Sequence, residues 1–252
     1  KEYVGELILK SDYGFVLTKR GGMYTDIFIE PDEIKNYKNG EKVVVIIKEW
    51  FEGRDTPNGK IIKSIGQPGE TETEIHAILH EYGLPYVFPK EVNQEAERLN
   101  KEIDKKELKR RRDFRKEITI TIDPVNAKDF DDALSLKIIN NHLFEIGIHI
   151  ADVSHYLKEG SPMEKEAYER ATSIYLVDRV VPMLPEKLSN ELCSLREKEE
   201  KYTFSAVFQM NNKSDVLNEW YGKTVIKSDK RFSYKEVNHI LQKQTKTINK
   251  RV

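Results

Sequence analysis

A single cysteine, Cys193, excludes an internal disulfide and suits a reducing, cytoplasmic compartment. No apolar run approaches the length needed to cross a bilayer, which argues against a membrane partner. The opening Lys1-Glu2-Tyr3-Val4-Gly5 enters a strand pattern directly, with no signal peptide and no initiator methionine, so it reads as a cut or processed end. An excess of one charge is lacking as well: 42 Lys and Arg against 43 Asp and Glu give a formal net charge of −1. That argues against gripping nucleic acid by bulk positive charge, and leaves room for local basic grooves balanced by acidic clusters. Internal repeats, low-complexity tracts and any mark of an obligate protein partner are also missing. What remains is a globular composition, 38% hydrophobic and 34% charged, in a 252-residue chain long enough for two domains.

Residues 1–68 read as β structure. Short apolar runs at Val4–Leu9, Tyr13–Leu17, Asp26–Ile29, Val43–Ile47 and around Lys60-Ile61-Ile62 are separated by Gly21-Gly22, Pro31-Asp32, Asn39-Gly40 and Pro57-Asn58-Gly59. Five short strands in that length suit a small all-β barrel of the OB type. The composition changes at Gly66-Gln67-Pro68-Gly69, and residues 69–112 read as a helical connector. There Thr71-Glu72-Thr73-Glu74 has the form of a capping box, and Ile75, Ile78, Leu79 and Tyr82 follow at helical spacing until Gly83 and Pro85. Val92, Ala96, Leu99 and Ile103 make a second stripe that runs into the basic cluster Lys109-Arg110-Arg111-Arg112.

Residues 113–252 carry an α+β pattern. Ile118, Ile120 and Ile122 alternate with Thr119, Thr121 and Asp123, so Asp123 is expected on the polar face of a strand. Residues 133–139 and 143–150 suggest a hairpin turning at Asn140-Asn141. Helices are expected after Ser161-Pro162-Met163-Glu164, over Glu186–Leu195, and from Ser233 with Glu236 through Leu241.

Four aspartates, Asp123, Asp129, Asp131 and Asp132, lie within ten residues of one another. One regular element cannot converge them all: in an extended chain Asp129 and Asp131 share a face and Asp132 points away. A strand end followed by a bend at Pro124 would aim several at one point. Carboxylates that close raise one another's pKa unless a cation neutralises them, and hard oxygen ligands favour Mg²⁺ or Mn²⁺. Such ions activate water and stabilise a leaving oxygen in phosphodiester hydrolysis. An EF-hand loop starting at Asp129 fails, with Leu134 and Asn140 where Gly and Glu are required. Spacing alone leaves a solvated acidic loop and a metal site as alternatives.

The run Thr121-Ile122-Asp123-Pro124-x-x-Ala127-Lys128-Asp129-Phe130-Asp131-Asp132-Ala133 resembles the signature of the RNB catalytic domain of the ribonuclease II and R family. Its neighbours agree in order: Arg111-Arg112-Asp113-Phe114-Arg115 before it, then His149–Tyr156, Arg170–Leu176, Pro182-Met183-Leu184-Pro185 and Leu192-Cys193-Ser194-Leu195. Thr73–Leu79 and Tyr82–Pro85 resemble the family's connector. The resemblance implies a processive hydrolytic exoribonuclease that degrades single-stranded RNA from the 3′ end to nucleoside 5′-monophosphates. It further implies that Asp123 and Asp132 hold Mg²⁺ (or Mn²⁺), that Asp129 supports metal or water, and that Asp131 serves the chemical step. Tyr175 matches the tyrosine that packs on the 3′-terminal nucleotide, the alternative being a core aromatic.

The N-terminal barrel resembles a cold-shock domain, with Ser11–Val16 and Asp26–Ile29 in place of its two RNA-binding motifs. Tyr13, Phe15 and Phe28 would stack bases there, although the acidic Asp12 departs from the usual basic or glycine residue, and a purely structural barrel is the alternative. His149 and His155 are expected to be hydrogen-bonded structural residues, and Cys193 a small buried one. The cluster Lys109–Arg112 is either a solvated face or a phosphate contact. The family's later arginine-rich motif does not occur before Val252, so a truncated catalytic domain, nearly inactive alone, is the expectation. A non-catalytic RNA-binding module on the same scaffold is the competing reading.

Overall fold

The computed structural model describes residues 1–18, 24–177 and 179–248. They form two units, Lys1–Val87 and Phe88 onward. In the first, β1 (Glu2–Leu9), β2 (Gly14–Leu17), β3 (Ile27–Ile29), the short helix α1 (Pro31–Ile34), β4 (Lys42–Glu49) and β5 (Asn58–Gly66) follow in order. The strands close into the expected OB-like barrel in the order β1-β2-β3-β5-β4, antiparallel except where β3 meets β5. Leu7, Val16, Ile27, Ile29, Val43, Val45 and Ile61 fill its interior. The filling leaves no room at Gly59, where a Cβ would stand 2.3 Å from Ile27 Cγ2 and 2.8 Å from Val45 Cγ2.

Helix α2 (Thr71–Glu81) packs on β1, β4 and β5. The capping box expected at its start does not form. Thr71 is already helical, Glu70 is the N-cap without a side-chain bond, and Glu74 instead accepts from the Gly69 amide at 3.0 Å and pairs with Lys42. The charge of Lys42 on the barrel outcompetes the helix's own first turn for that carboxylate. Residues 69–112 are shared between the two units: α2 belongs to the barrel, whereas α3 (Lys90–Glu97) and α4 (Lys105–Leu108) belong to the second unit.

The second unit continues with β6 (Arg112–Asp113), β7 (Ile118–Asp123), β8 (Asp132–Asn140), β9 (Leu143–Ala151), α5 (Pro162–Arg170), β10 (Ile174–Tyr175), β11 (Val180–Val181), β12 (Glu200–Asn211), β13 (Val216–Lys227), β14 (Lys230–Ser233) and α6 (Tyr234–Ile248). Seven strands make one sheet in the order β14-β7-β8-β9-β12-β13-β6, antiparallel inside and parallel at both edges. Helix α5 starts as expected, the Ser161 hydroxyl accepting from the Glu164 amide. At α6 the box is reciprocal, Ser233 N–H to Glu236 and Glu236 N–H to Ser233. The helix expected over Glu186–Leu195 is reduced to a π-helical segment, Lys187–Leu192. The chain turns out of it so that Leu195 N–H reaches Phe130 O at 2.8 Å, while Leu188, Leu192, Cys193 and Leu195 stay in the core. No described helix is long and apolar enough to cross a membrane.

The sheet inverts the usual pattern of apolar side in, polar side out. In β7 the threonines and Asp123 are buried while Ile118 is 66% exposed. In β8 and β9 the buried positions are Ala133, Ser135, Glu145, Gly147, His149 and Ala151, whereas Leu134, Leu136, Ile148 and Ile150 face outward. The inner face is habitable for polar groups because they bond one another. His149 sits between Ser135 Oγ (2.8 Å) and Ser205 Oγ (2.6 Å), Ser205 continues to Thr224, and Thr224 to Thr203. Beneath it lies the core built from α3, α5, the π-helical segment, Phe114, Tyr156, Tyr202 and Ile226. Among the described residues, nothing covers the isoleucine- and leucine-rich outer face.

Candidate functional site

The aspartates occupy the end of β7, the start of β8 and the segment between them. Strand β7 pairs with β8 at Ile118↔Leu136 and Ile120↔Leu134. The pairing ends there: β7 runs on to Asp123, buried on the inner side of the sheet, and β8 begins at the exposed Asp132. Asp123 is 7% exposed and its Oδ2 is buried without a hydrogen-bond partner. Burial raises its pKa, Asp132 and Asp131 push the same way, and the Thr121 hydroxyl and Arg231 oppose them. The Asp131 carboxyl is also raised, first by the protein around it and then by the charges of Asp129 and Asp132. Asp129 accepts a hydrogen bond from the Tyr175 hydroxyl at 3.0 Å, which raises the tyrosine's pKa.

Sequence reasoning left convergence of several of these carboxylates as one alternative; in the structure Asp132 and Asp131 act electrostatically on Asp123, and Asp129 and Asp132 on Asp131. Geometrically the convergence is looser: among the described residues no three Asp, Glu, His or Cys side chains are close enough together to hold a metal ion as they stand. The chemistry of the donor set still fits a divalent cation. A buried carboxylate oxygen without a donor, beside an Asp131 carboxyl raised first by burial and then by its acidic neighbours, is an arrangement that a hard cation relieves.

Two further residues hold the segment in shape. Ser194 Oγ accepts from Phe130 N–H (3.1 Å) and donates to Lys128 O (2.8 Å). Arg231 Nη2 donates to Pro124 O (2.7 Å) and Val125 O (2.8 Å). Ser194 lies inside a motif visible in the sequence; Arg231 carried no signal beyond its place just before the α6 cap.

The remaining candidates divide cleanly. Tyr175 is 67% exposed, so it is a surface aromatic and not a core one. Tyr13, Phe15 and Phe28 form a triangle on the barrel with ring centroids 5.6–5.7 Å apart. His149 is enclosed between two serines, with burial holding its pKa down to about 4. Asp152 is committed to Arg111 at 2.7 Å, and its neighbour His155 lies against the Tyr202 ring. Burial pushes the Cys193 thiol up to about 12, which keeps it protonated. In the basic cluster, Arg111 is buried against Glu107 and Asp152, and Arg112 pairs with Glu145 over Phe114 and Trp220. Only Lys109 and Arg110 of that run are exposed.

Comparison with known proteins places this geometry. An RNB domain model matches residues 111–251, more than half of the chain, and a cold shock domain model matches residues 15–89. The chain belongs to the RNB-domain family. Ribonuclease R of Thermotoga maritima is 37% identical over 244 residues, covering 96% of this chain and 34% of the relative. Ribonuclease R 2 of Lactococcus lactis is 41% identical over 223 residues, with 87% and 34% covered. The structure of Mycoplasma genitalium RNase R in complex with double-stranded RNA superposes with a TM-score of 0.87 at 28% identity, over 96% of this chain and 43% of that one. This RNB chain thus spans about a third of the length of its curated relatives.

Proposed function

We propose that this RNB protein works as a processive exoribonuclease, hydrolysing single-stranded RNA from its 3′ end and releasing nucleoside 5′-monophosphates. The observation that carries the reading is the buried, unpartnered Oδ2 of Asp123 beside Asp131 and Asp132, in a chain whose relatives are named ribonuclease R. Asp123 and Asp132, with Asp129, would hold Mg²⁺ or Mn²⁺. Bound there, the cation would supply charge for the scissile phosphate and acidify water. Asp131 serves the chemical step: its raised pKa lets it take a proton from attacking water nearer neutrality than an ordinary aspartate does. Tyr175, exposed and tied to Asp129, offers a flat face to the 3′-terminal nucleotide, and Tyr13, Phe15 and Phe28 offer stacking surfaces to bases of the strand.

The loose spacing of the carboxylates favours one competing reading, a non-catalytic RNA-binding module. The deciding experiment uses uniformly labelled single-stranded RNA with Mg²⁺, comparing the protein with Asp131→Asn. Slow release of mononucleotides from the parent, in keeping with the low activity expected from its sequence, and tight RNA binding with no hydrolysis by the variant, are expected. RNA binding without hydrolysis by the parent would establish the binding module instead, and loss of binding in the variant would make Asp131 structural.

A further inference from the structure

We infer that Arg231 is the positioning residue of the aspartate segment, one guanidinium tying together the two ends of the stretch between Asp123 and Asp131. The assignment rests on the cation-site reading given above, and its structural basis is independent of it. Strand β14 runs parallel to β7 with Arg231 beside Thr121 and Ser233 beside Asp123, so the arginine backbone is in register with the strand that ends in the buried carboxylate. From there one nitrogen, Nη2, donates to both Pro124 O and Val125 O, the first two carbonyls after Asp123. The same guanidinium lies over the Phe130 ring, 4.9 Å from its centroid, one residue before Asp131. It therefore grips the segment where it leaves one strand and again where it enters the next.

The arginine is itself held from behind. Its backbone N–H donates to Glu197 Oε2 at 3.1 Å, and two residues later the Ser233–Glu236 box fixes the start of α6. Its Nε is buried without a partner, so the head group is drawn into place by the carbonyls and the ring, with no carboxylate salt bridge among the described residues. The guanidinium also brings a positive charge near the Asp123 carboxylate. A lysine could supply that charge, but it has no planar face to lay on Phe130 while reaching two carbonyls. On the opposite side Ser194 holds Lys128 O and Phe130 N–H, so the two residues together leave the segment little freedom.

The test compares the protein with Arg231→Lys and Arg231→Met. Mn²⁺ binding is measured by electron paramagnetic resonance of the free ion, and amide hydrogen exchange is followed across residues 125–131. Both variants are expected to weaken Mn²⁺ binding, about 10-fold or more for Arg231→Lys and further for Arg231→Met, and to accelerate exchange in that segment alone. Parent-like affinity and exchange in Arg231→Lys would overturn the assignment, leaving charge as the arginine's whole contribution. Acceleration spread over the entire second unit would overturn it too, because it would make Arg231 a general stabiliser. If the parent protein binds no Mn²⁺ that Asp123→Asn removes, the cation-site reading fails, while segment-limited exchange in Arg231→Lys still upholds the positioning role.

Discussion

Replacing Asp123 by Asn should stabilise the protein without divalent cations and reverse that ranking in their presence. Asp123 is nearly fully buried, one of its oxygens has no donor, and burial together with Asp132 and Asp131 disfavours its charge. An unsatisfied buried polar group costs about 1–3 kcal/mol, so the neutral amide should recover on the order of 1–2 kcal/mol. For a protein of this size each kcal/mol moves Tm by about 2–4 °C, which predicts a rise of roughly 2–8 °C in EDTA. A cation at a hundred times its Kd stabilises the parent by about 2.7 kcal/mol, so Mg²⁺ should lift the parent to or past the variant and leave the variant's Tm unmoved. Trp50, 53% exposed, belongs to the barrel and Trp220 packs against the second unit's core. A Trp50→Phe background therefore lets fluorescence report the relevant melt alone. A variant that melts lower than the parent in EDTA would refute the reasoning, because the carboxylate would then be satisfied and structural.

Three further outcomes follow from the same geometry. His149, fully buried with its pKa held at about 4 against about 6.5 unfolded, contributes stability that is intact above pH 6.5 and drains away as the pH falls toward 4. Urea titrations should show a loss of about 1.5 kcal/mol between pH 6.5 and 5, absent in His149→Gln. Gly147→Ala should cost about 1–3 kcal/mol by the same titration, since its Cβ would stand 2.4 Å from Ser135 Oγ and 2.6 Å from His149 Nε2. Phe28→Ala should weaken binding of fluorescent oligouridylate by about 5- to 100-fold in anisotropy titrations, a change below about twofold marking the barrel as scaffold only.

The first unit was legible almost strand for strand, because each apolar run was short and bounded by turn residues. The second unit was legible in its motifs and misread in its faces. Ile118, Ile120 and Ile122 look like a buried stripe, yet it is Thr119, Thr121 and Asp123 that are buried, on the inner face where hydroxyls and an imidazole of β8, β9, β12 and β13 bond one another. No single strand announces that arrangement. The long hairpin of β12 and β13 was not anticipated at all. Lys201, Tyr202 and Thr203 are all buried in succession, which erases the period-two signal. Arg231 was invisible for a related reason: its partners are carbonyls a hundred residues away, and backbone acceptors leave no trace in sequence.

The chain of hydroxyls and imidazole on the inner face also proofreads the sheet as it assembles. It crosses β8, β9, β12 and β13 through Ser135, His149, Ser205, Thr224 and Thr203, and Arg111 closes it on the carbonyls of Thr203 and Thr224. A slip of one residue would turn every one of those groups to the wrong side. A slip of two would keep the side and carry each hydroxyl about 7 Å from its mate, leaving unsatisfied groups at roughly 1–3 kcal/mol apiece. Apolar side chains tolerate such errors, because one leucine packs much like another. By placing its polar groups inside, this sheet admits a single alignment of β8, β9, β12 and β13, and so fixes the strand that begins at Asp132.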